Sequence, residues 1–150
     1  MESVSSQKPS NEILFGSRSI WNVVVVTADP TTRSELQQIF SRLGIDASWL
    51  LTAEECGAIS RRDMVAIVFS DERMPDGDYW DVYRAITRGL ITKPKIVLIP
   101  RSMTRAECEQ AKRCGIFAVL ERPYRPAMIE WTVILANRKR SAVGSFSWPR

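Results

Sequence analysis

The sequence predicts an α/β fold: a doubly wound sheet of five parallel strands, covered on both faces by five helices. Three observations carry this. Between Trp21 and Arg138, short β-type runs alternate strictly with helical patterns, the order that buries a parallel sheet between helices. The runs are apolar throughout, as in the four consecutive valines Val23 to Val26, so each strand is expected to be covered on both faces. The length of 150 residues suits one domain with a full core, whereas a closed eightfold barrel needs about 250 residues.

The first strand is expected over Asn22 to Thr27. Asp29-Pro30 then reads as N-cap and first helical residue, Leu36, Ile39, Phe40 and Leu43 follow at helical spacing, and Gly44 supplies the stop. Ile45 to Leu51 is the second strand, and Thr52-x-x-Glu55 is a capping box for a short second helix. Met64 to Phe69 is the third strand, with Ser70 to Asp78 as the loop after it. The third helix runs from Tyr79 to Arg88 and ends at Gly89. Lys95 to Ile99, set between two prolines, is the fourth strand, and Thr104-x-x-Glu107 caps a fourth helix that stops at Gly115. Ile116 to Leu120 is the fifth strand, and Pro126 opens a last helix that runs to Arg138. Right-handed crossovers then leave a doubly wound open sheet as the expected topology. Residues 1–20, rich in Ser, Asn, Gln and Pro, are expected to form an N-terminal arm, with the folded domain over 21–139 and a tail over 140–150.

Composition excludes several classes of function. With 45% hydrophobic and 25% charged residues the chain is ordinary for a globular protein. Its longest apolar runs fall far short of a spanning helix, so no membrane association is expected. No basic stretch followed by a long apolar segment opens the chain, and three cysteines without a C-x-x-C pair suit reduced thiols, so the expected location is cytoplasmic. The absence of histidine removes Ser-His-Asp and Cys-His catalysis and His-ligated zinc. The net charge of +4 divides unevenly: residues 1–80 carry 7 Lys/Arg against 12 Asp/Glu, and residues 81–150 carry 14 against 5. Arg138-Lys139-Arg140 suits a helix C-terminus, and no DNA-reading element follows it, so direct nucleic-acid binding is not expected.

In a doubly wound sheet, ligands bind beyond the carboxyl ends of the strands. The residues there are Thr27, Ala28 and Asp29, then Ser70, Asp71 and Glu72, then Ile99 and Pro100, then Glu121, Arg122 and Pro123. The first turn contains no glycine-rich phosphate loop, which argues against a dinucleotide or nucleoside triphosphate. An aspartate exposed at a strand end is a nucleophile for phosphoryl transfer if a metal and a cation offset the charge of the transferring group.

Asp71-Glu72-Arg73-Met74-Pro75, directly after a buried strand, resembles the D-x-x-M-P phosphorylation loop of response-regulator receiver domains. Arg122-Pro123-Tyr124 resembles that family's Lys-Pro-Phe turn, and the resemblance covers about residues 21–139. It implies a flavodoxin-like sheet of strand order 2-1-3-4-5 and a part in two-component signalling. Asp71 is implied as phosphoacceptor, Arg122 as phosphate partner, and Asp29, Asp71 and the Arg73 backbone carbonyl as ligands of Mg2+. The implied partners are a sensor histidine kinase or phosphotransfer protein, a downstream protein target, and a second copy through the fourth and fifth helices. With no histidine of its own, the chain would receive any phosphoryl group from outside.

The sequence also departs from that family. The acidic pair after the first strand falls on Thr27 and Ala28, and Asp29, one place later, is expected to cap the helix. The hydroxyl residue ending the fourth strand is Ile99, followed by Pro100, and the aromatic position on the fifth strand is Val119. Arg122 keeps the charge of the usual lysine in a planar fork. Magnesium binding is therefore expected to be weak, with Glu72 or Asp29 as substitute ligands. One alternative is a phosphorylation-independent pseudo-receiver that binds a partner. Another is an Asp-nucleophile phosphatase, for which Arg73 stands where an acid is needed. The last helix is apolar nearly all round, which leaves a face for a partner or for the tail containing Trp148.

Overall fold

The computed structural model describes residues 23–62, 65–88 and 93–137. The expected arm and tail, the strand residues Asn22 and Met64, the helix stop Gly89, the Arg138-Lys139-Arg140 cluster and Trp148 lie outside the described residues.

β1 (Val23–Val26) lies between β2 (Ala47–Leu50) and β3 (Ile67–Asp71), and β3 pairs with β6 (Lys95–Ile99), which pairs with β7 (Ala118–Val119). All four pairings are parallel, in the order β2-β1-β3-β6-β7. That is order 2-1-3-4-5 once β4 (Arg73–Met74) and β5 (Gly77–Asp78), which form a separate antiparallel ribbon, are left out. The sheet is doubly wound, as the sequence pattern predicts, in the flavodoxin-like order that the family resemblance implies.

Successive residues of a strand point to opposite faces, so the valine run serves two cores. Val23 and Val25 pack with Leu36, Phe40, Phe69 and Ile129, under α1 (Pro30–Leu43) and α5 (Pro126–Ala136). Val24 and Val26 pack with Cys56, Val82, Ile86 and Ala111, under α2 (Ala53–Arg62), α3 (Tyr79–Thr87) and α4 (Arg105–Arg113). In the first core the Phe40 ring lies edge-on to Phe69 at 5.5 Å, and Trp49 closes that side at 5.8 Å from Phe40.

The helix ends follow their sequence signals. Asp29 accepts the Thr31 N–H, Pro30 opens α1, and Gly44 ends it in the left-handed conformation at φ 71°. The Thr52 and Glu55 box forms, and Thr104 with Glu107 caps α4 reciprocally.

The structure corrects the predicted elements in three places. Ser70 and Asp71 belong to β3 rather than to a loop, because Asp71 stays in register with Ile99. The rest of that loop is the β4–β5 ribbon, closed by Pro75 and Asp76. The predicted strands Ile45 to Leu51 and Ile116 to Leu120 shorten to Ala47–Leu50 and Ala118–Val119, and the strand expected from Met64 begins only at Ile67. Their flanking residues still serve the fold: Ile45 and Ile116 are buried, and the Phe117 and Leu120 N–H groups donate to Ile96 and Leu98.

Candidate functional site

The carboxyl edge of the sheet brings together Thr27, Asp71, Ile99 and Arg122, each at or just beyond a strand end. Asp71 is buried, at 8% exposed. Its Oδ2 accepts the Thr27 hydroxyl at 2.7 Å and the Ala28 N–H at 3.3 Å. Thr27 is fixed from the other side, because its Oγ1 accepts the Asp29 N–H at 3.1 Å. Burial pushes the Asp71 carboxyl above its ordinary value, and the donors Thr27 and Ala28 offset only part of that rise.

Asp29 stands beside this group but serves α1. Its Oδ1 accepts the Thr31 N–H at 3.1 Å, and its Oδ2 accepts the Thr32 hydroxyl at 3.0 Å. Arg101 and Arg122 approach Oδ2 at 3.5 and 4.0 Å. Burial raises the Asp29 pKa, but these hydrogen bonds and the two guanidinium groups outweigh it and hold the carboxyl below its ordinary value.

Arg122 turns toward the same helix. It donates to Thr32 Oγ1 at 3.0 Å and to Glu35 at 3.3 Å, and its guanidinium lies 5.3 Å from the Tyr124 ring centroid. Arg122, Asp71, Arg73 and Arg101 all line one cavity of about 90 Å³, yet the Arg122 hydrogen bonds run to α1 rather than to Asp71. Its peptide bond to Pro123 is cis.

Glu72 holds a position that the sequence offered only as a substitute ligand. Its Oε1 accepts the Arg101 and Ser102 N–H groups at 2.7 and 2.8 Å, and its Oε2 accepts the Ser102 hydroxyl at 3.2 Å. Glu72 thereby pins the β6–α4 loop to the end of β3. Burial raises its pKa, but the Ser102 and Arg101 donors outweigh that and hold it low. Asp76 is similarly committed, accepting the Ala53 and Glu54 N–H groups at the start of α2. Neither role left a sequence signal, because both join segments more than twenty residues apart.

Mg2+ demands near-octahedral oxygen coordination and is held by carboxylates that converge on it. Asp29 is committed to the α1 N-terminus and Glu72 to the β6–α4 loop, and Thr27 and Ala28 stand at Asp71 where the family resemblance expects an acidic pair. Among the described residues no three Asp, Glu, Cys or His side chains are grouped to hold a metal. The residues present therefore do not fit the Mg2+ that the family resemblance implies.

No protein-family model matches the chain, and none of the curated proteins does. Solved structures match its fold over most of its length. The receiver domain of a sensor histidine kinase from Pseudomonas aeruginosa, with a magnesium ion coordinated in its active-site cleft, aligns at TM-score 0.66 and 14% identity, over 77% of this chain and 95% of that one. A two-component response regulator from Clostridium difficile aligns at TM-score 0.66 and 18% identity, over 80% and 98%. This chain has the receiver-domain fold. The beryllofluoride-activated NtrC4 receiver domain dimer aligns with it at TM-score 0.66 and 21% identity, over 76% of this chain and 93% of that one. Within the receiver-domain fold Asp71 ends the central strand, and the 2.7 Å Thr27 hydrogen bond occupies it from the neighbouring strand. Among the described residues no helix is long and apolar enough to cross a membrane.

Proposed function

We propose that this chain is a receiver-fold signalling module that acts by binding a protein partner and does not take a phosphoryl group on Asp71. One observation carries the proposal: the Thr27 hydroxyl donates to Asp71 Oδ2 at 2.7 Å, at a position where the family resemblance expects a metal-binding acid. Phosphoryl transfer to a carboxylate needs an ionised nucleophile and cations that offset the charge of the transferring group. Here burial disfavours the ionised form of Asp71, and the nearby guanidinium groups of Arg101 and Arg122 are drawn to Asp29. The partner would be a downstream protein target, and the module would have no enzymatic activity.

The proposal is tested by incubating the protein with acetyl phosphate and Mg2+ and measuring the intact mass of wild type and Asp71→Asn. No phosphoryl adduct on either is the expected result. An adduct on wild type alone would overturn it in favour of the second reading, in which Asp71 accepts a phosphoryl group from a histidine kinase or phosphotransfer protein. That reading draws support from Asp71 and Arg122 lining one cavity. The phosphatase alternative loses ground because Arg73, in the place of its second acid, is an exposed residue of the β4–β5 ribbon. A homodimer through α4 and α5 would use Trp131 and Ile134, which leave 42% and 37% of their surface exposed on α5.

A further inference from the structure

The second face of the Glu72 loop opens onto a groove that the Asp71 pocket does not use. It lies between the β4–β5 ribbon with the start of α3 on one side and α4 on the other, and encloses about 500 Å³. That is within the range of roughly 300–1,000 Å³ typical of ligand-sized clefts. Tyr79, Trp80 and Met103 supply its apolar surface, and Glu72, Asp78 and Glu107 supply its charge. Arg73 also lines it and offsets one of the three carboxylates.

The aromatic surface is held in place before any ligand arrives. Tyr79 and Trp80 pack at 5.1 Å between ring centroids, and Trp80 meets Tyr83 edge-on at 5.3 Å. Asp78 and Glu107 are fixed as helix caps: Asp78 Oδ1 accepts the Trp80 and Asp81 N–H groups, and Glu107 Oε1 accepts the Thr104 N–H. A carboxylate offers about four acceptor sites, so capping leaves each of them capacity for a ligand. Two of its three carboxylates, Glu72 and Asp78, come from residues 1–80, which carry 12 Asp/Glu against 7 Lys/Arg, whereas residues 81–150 carry 14 Lys/Arg against 5 Asp/Glu. A basic segment would be repelled by much of the second half of the chain and attracted here.

We infer that this groove docks an arginine- or lysine-bearing segment of the partner protein, its cation set over the Tyr79 and Trp80 rings between Asp78 and Glu107. The inference rests on the partner-binding reading above and names the chemistry of the partner. An ammonium or guanidinium group is attracted by an aromatic face, and carboxylates on both sides add to that attraction.

Cys114 makes the test direct. It lines the groove and is exposed, whereas Cys56 and Cys108 are buried, so a thiol-reactive environment-sensitive dye reports from this site. The probe is a short capped peptide of alternating arginine and leucine, and the control carries glutamate in place of arginine. The dye signal should titrate with the basic peptide alone, and calorimetry on unlabelled protein should give the same affinity. Asp78→Asn with Glu107→Gln keeps capping acceptors while removing both charges. This double variant should bind about tenfold more weakly, the effect of roughly 1.4 kcal/mol. If it does not fold, as judged by circular dichroism, Glu107→Gln alone should still weaken binding severalfold. Leu51→Ala, at an exposed position that does not line the groove, should change nothing.

Four results would overturn the inference: no binding at millimolar peptide, equal binding of the acidic peptide, indifference to the charge-removing variants, or salt-sensitive self-association through the groove. The last would make the occupant a second copy of this chain. None of these bears on the mass measurement at Asp71. An adduct there would sink the phosphorylation-independent reading, while absent peptide binding would sink only the groove.

Discussion

Asp71 and Glu72 follow one another at the end of β3 and face different regions of the molecule with opposite titration. Asp71 turns into the sheet edge, where one hydroxyl at 2.7 Å and one N–H at 3.3 Å oppose the burial of its charge, and its pKa rises. Glu72 turns to the β6–α4 loop, where two N–H groups and a hydroxyl converge on it, and its pKa falls. A carboxylate keeps its charge where donors are near and water is at hand, and resists ionising where they are few and burial is deep. The ionised group at this strand end is therefore a loop anchor, and the nucleophile candidate is the group disfavoured as an anion.

Removing the anchor should have the largest effect. Glu72→Ala leaves the Arg101 and Ser102 N–H groups without their acceptor and should cost about 2 kcal/mol in urea denaturation at neutral pH. Because the folded pKa of Glu72 is lowered, its contribution is present above its ordinary value of 4.5 and is lost as pH falls through the folded value. The gap between wild type and Glu72→Ala should therefore close in acid. A gap that persists at low pH would show that the loop is held by something other than this charge.

Thr27→Val strikes the other region and ranks next. It removes the donor to Asp71 and also the acceptor of the Asp29 N–H, so two groups lose a partner at once. The expected loss is about 1–2 kcal/mol in the same denaturation measurement. The Asp71 carboxyl should also titrate at higher pH than in wild type, which carbon-detected NMR of the side chain would read. Unchanged titration would mean that the Thr27 hydroxyl does not set its state.

The contrast between these regions was legible in the sequence only on one side. The fold was readable because the valine run, Asp29-Pro30, Thr52-x-x-Glu55 and Gly44 act locally: each determines its element through neighbours within a turn or a strand. The β4–β5 ribbon was missed, though Pro75-Asp76-Gly77 is a turn signal that marks it. Gly77 sits at φ 155°, and a Cβ there would run into the Asp81 carboxylate, so the ribbon turns where only glycine fits. Thr27, Asp71 and Arg122 were placed at strand ends because strand order dictates that edge. What could not be read was direction. Arg122 reaching to Thr32 and Glu35, and Glu72 reaching to Arg101 and Ser102, depend on side-chain paths between segments distant in sequence.

Asp71→Asn tests the raised pKa with a smaller change, because an amide can keep an acceptor for the Thr27 hydroxyl. For an acid whose folded pKa is raised, its contribution is fully present below the unfolded pKa, ordinarily 3.8, and is lost as pH rises through the folded value. Wild type should therefore lose stability relative to Asp71→Asn as pH climbs through that window, leaving the variant the more stable at neutral pH. Denaturation across a pH series would show it, and a variant less stable than wild type at neutral pH would mean that the Thr27 and Ala28 hydrogen bonds outweigh the cost of burying the charge.

Arg122→Lys should have the smallest effect, and for that reason it separates two roles of the residue. The guanidinium is about half exposed, as is its partner Glu35, so solvent screens the pair and the expected cost is below about 0.5 kcal/mol. An ammonium retains the charge but cannot hold Thr32, Glu35 and the Tyr124 ring together with one planar fork. If Arg122 is only a brace for α1, Arg122→Lys should leave the acetyl phosphate result unchanged, with no adduct on Asp71. If the family's lysine is what the site lacks, the released ammonium would swing into the shared cavity and an adduct would appear. That gain would place the barrier to phosphorylation in the fork of Arg122 rather than in the hydroxyl of Thr27.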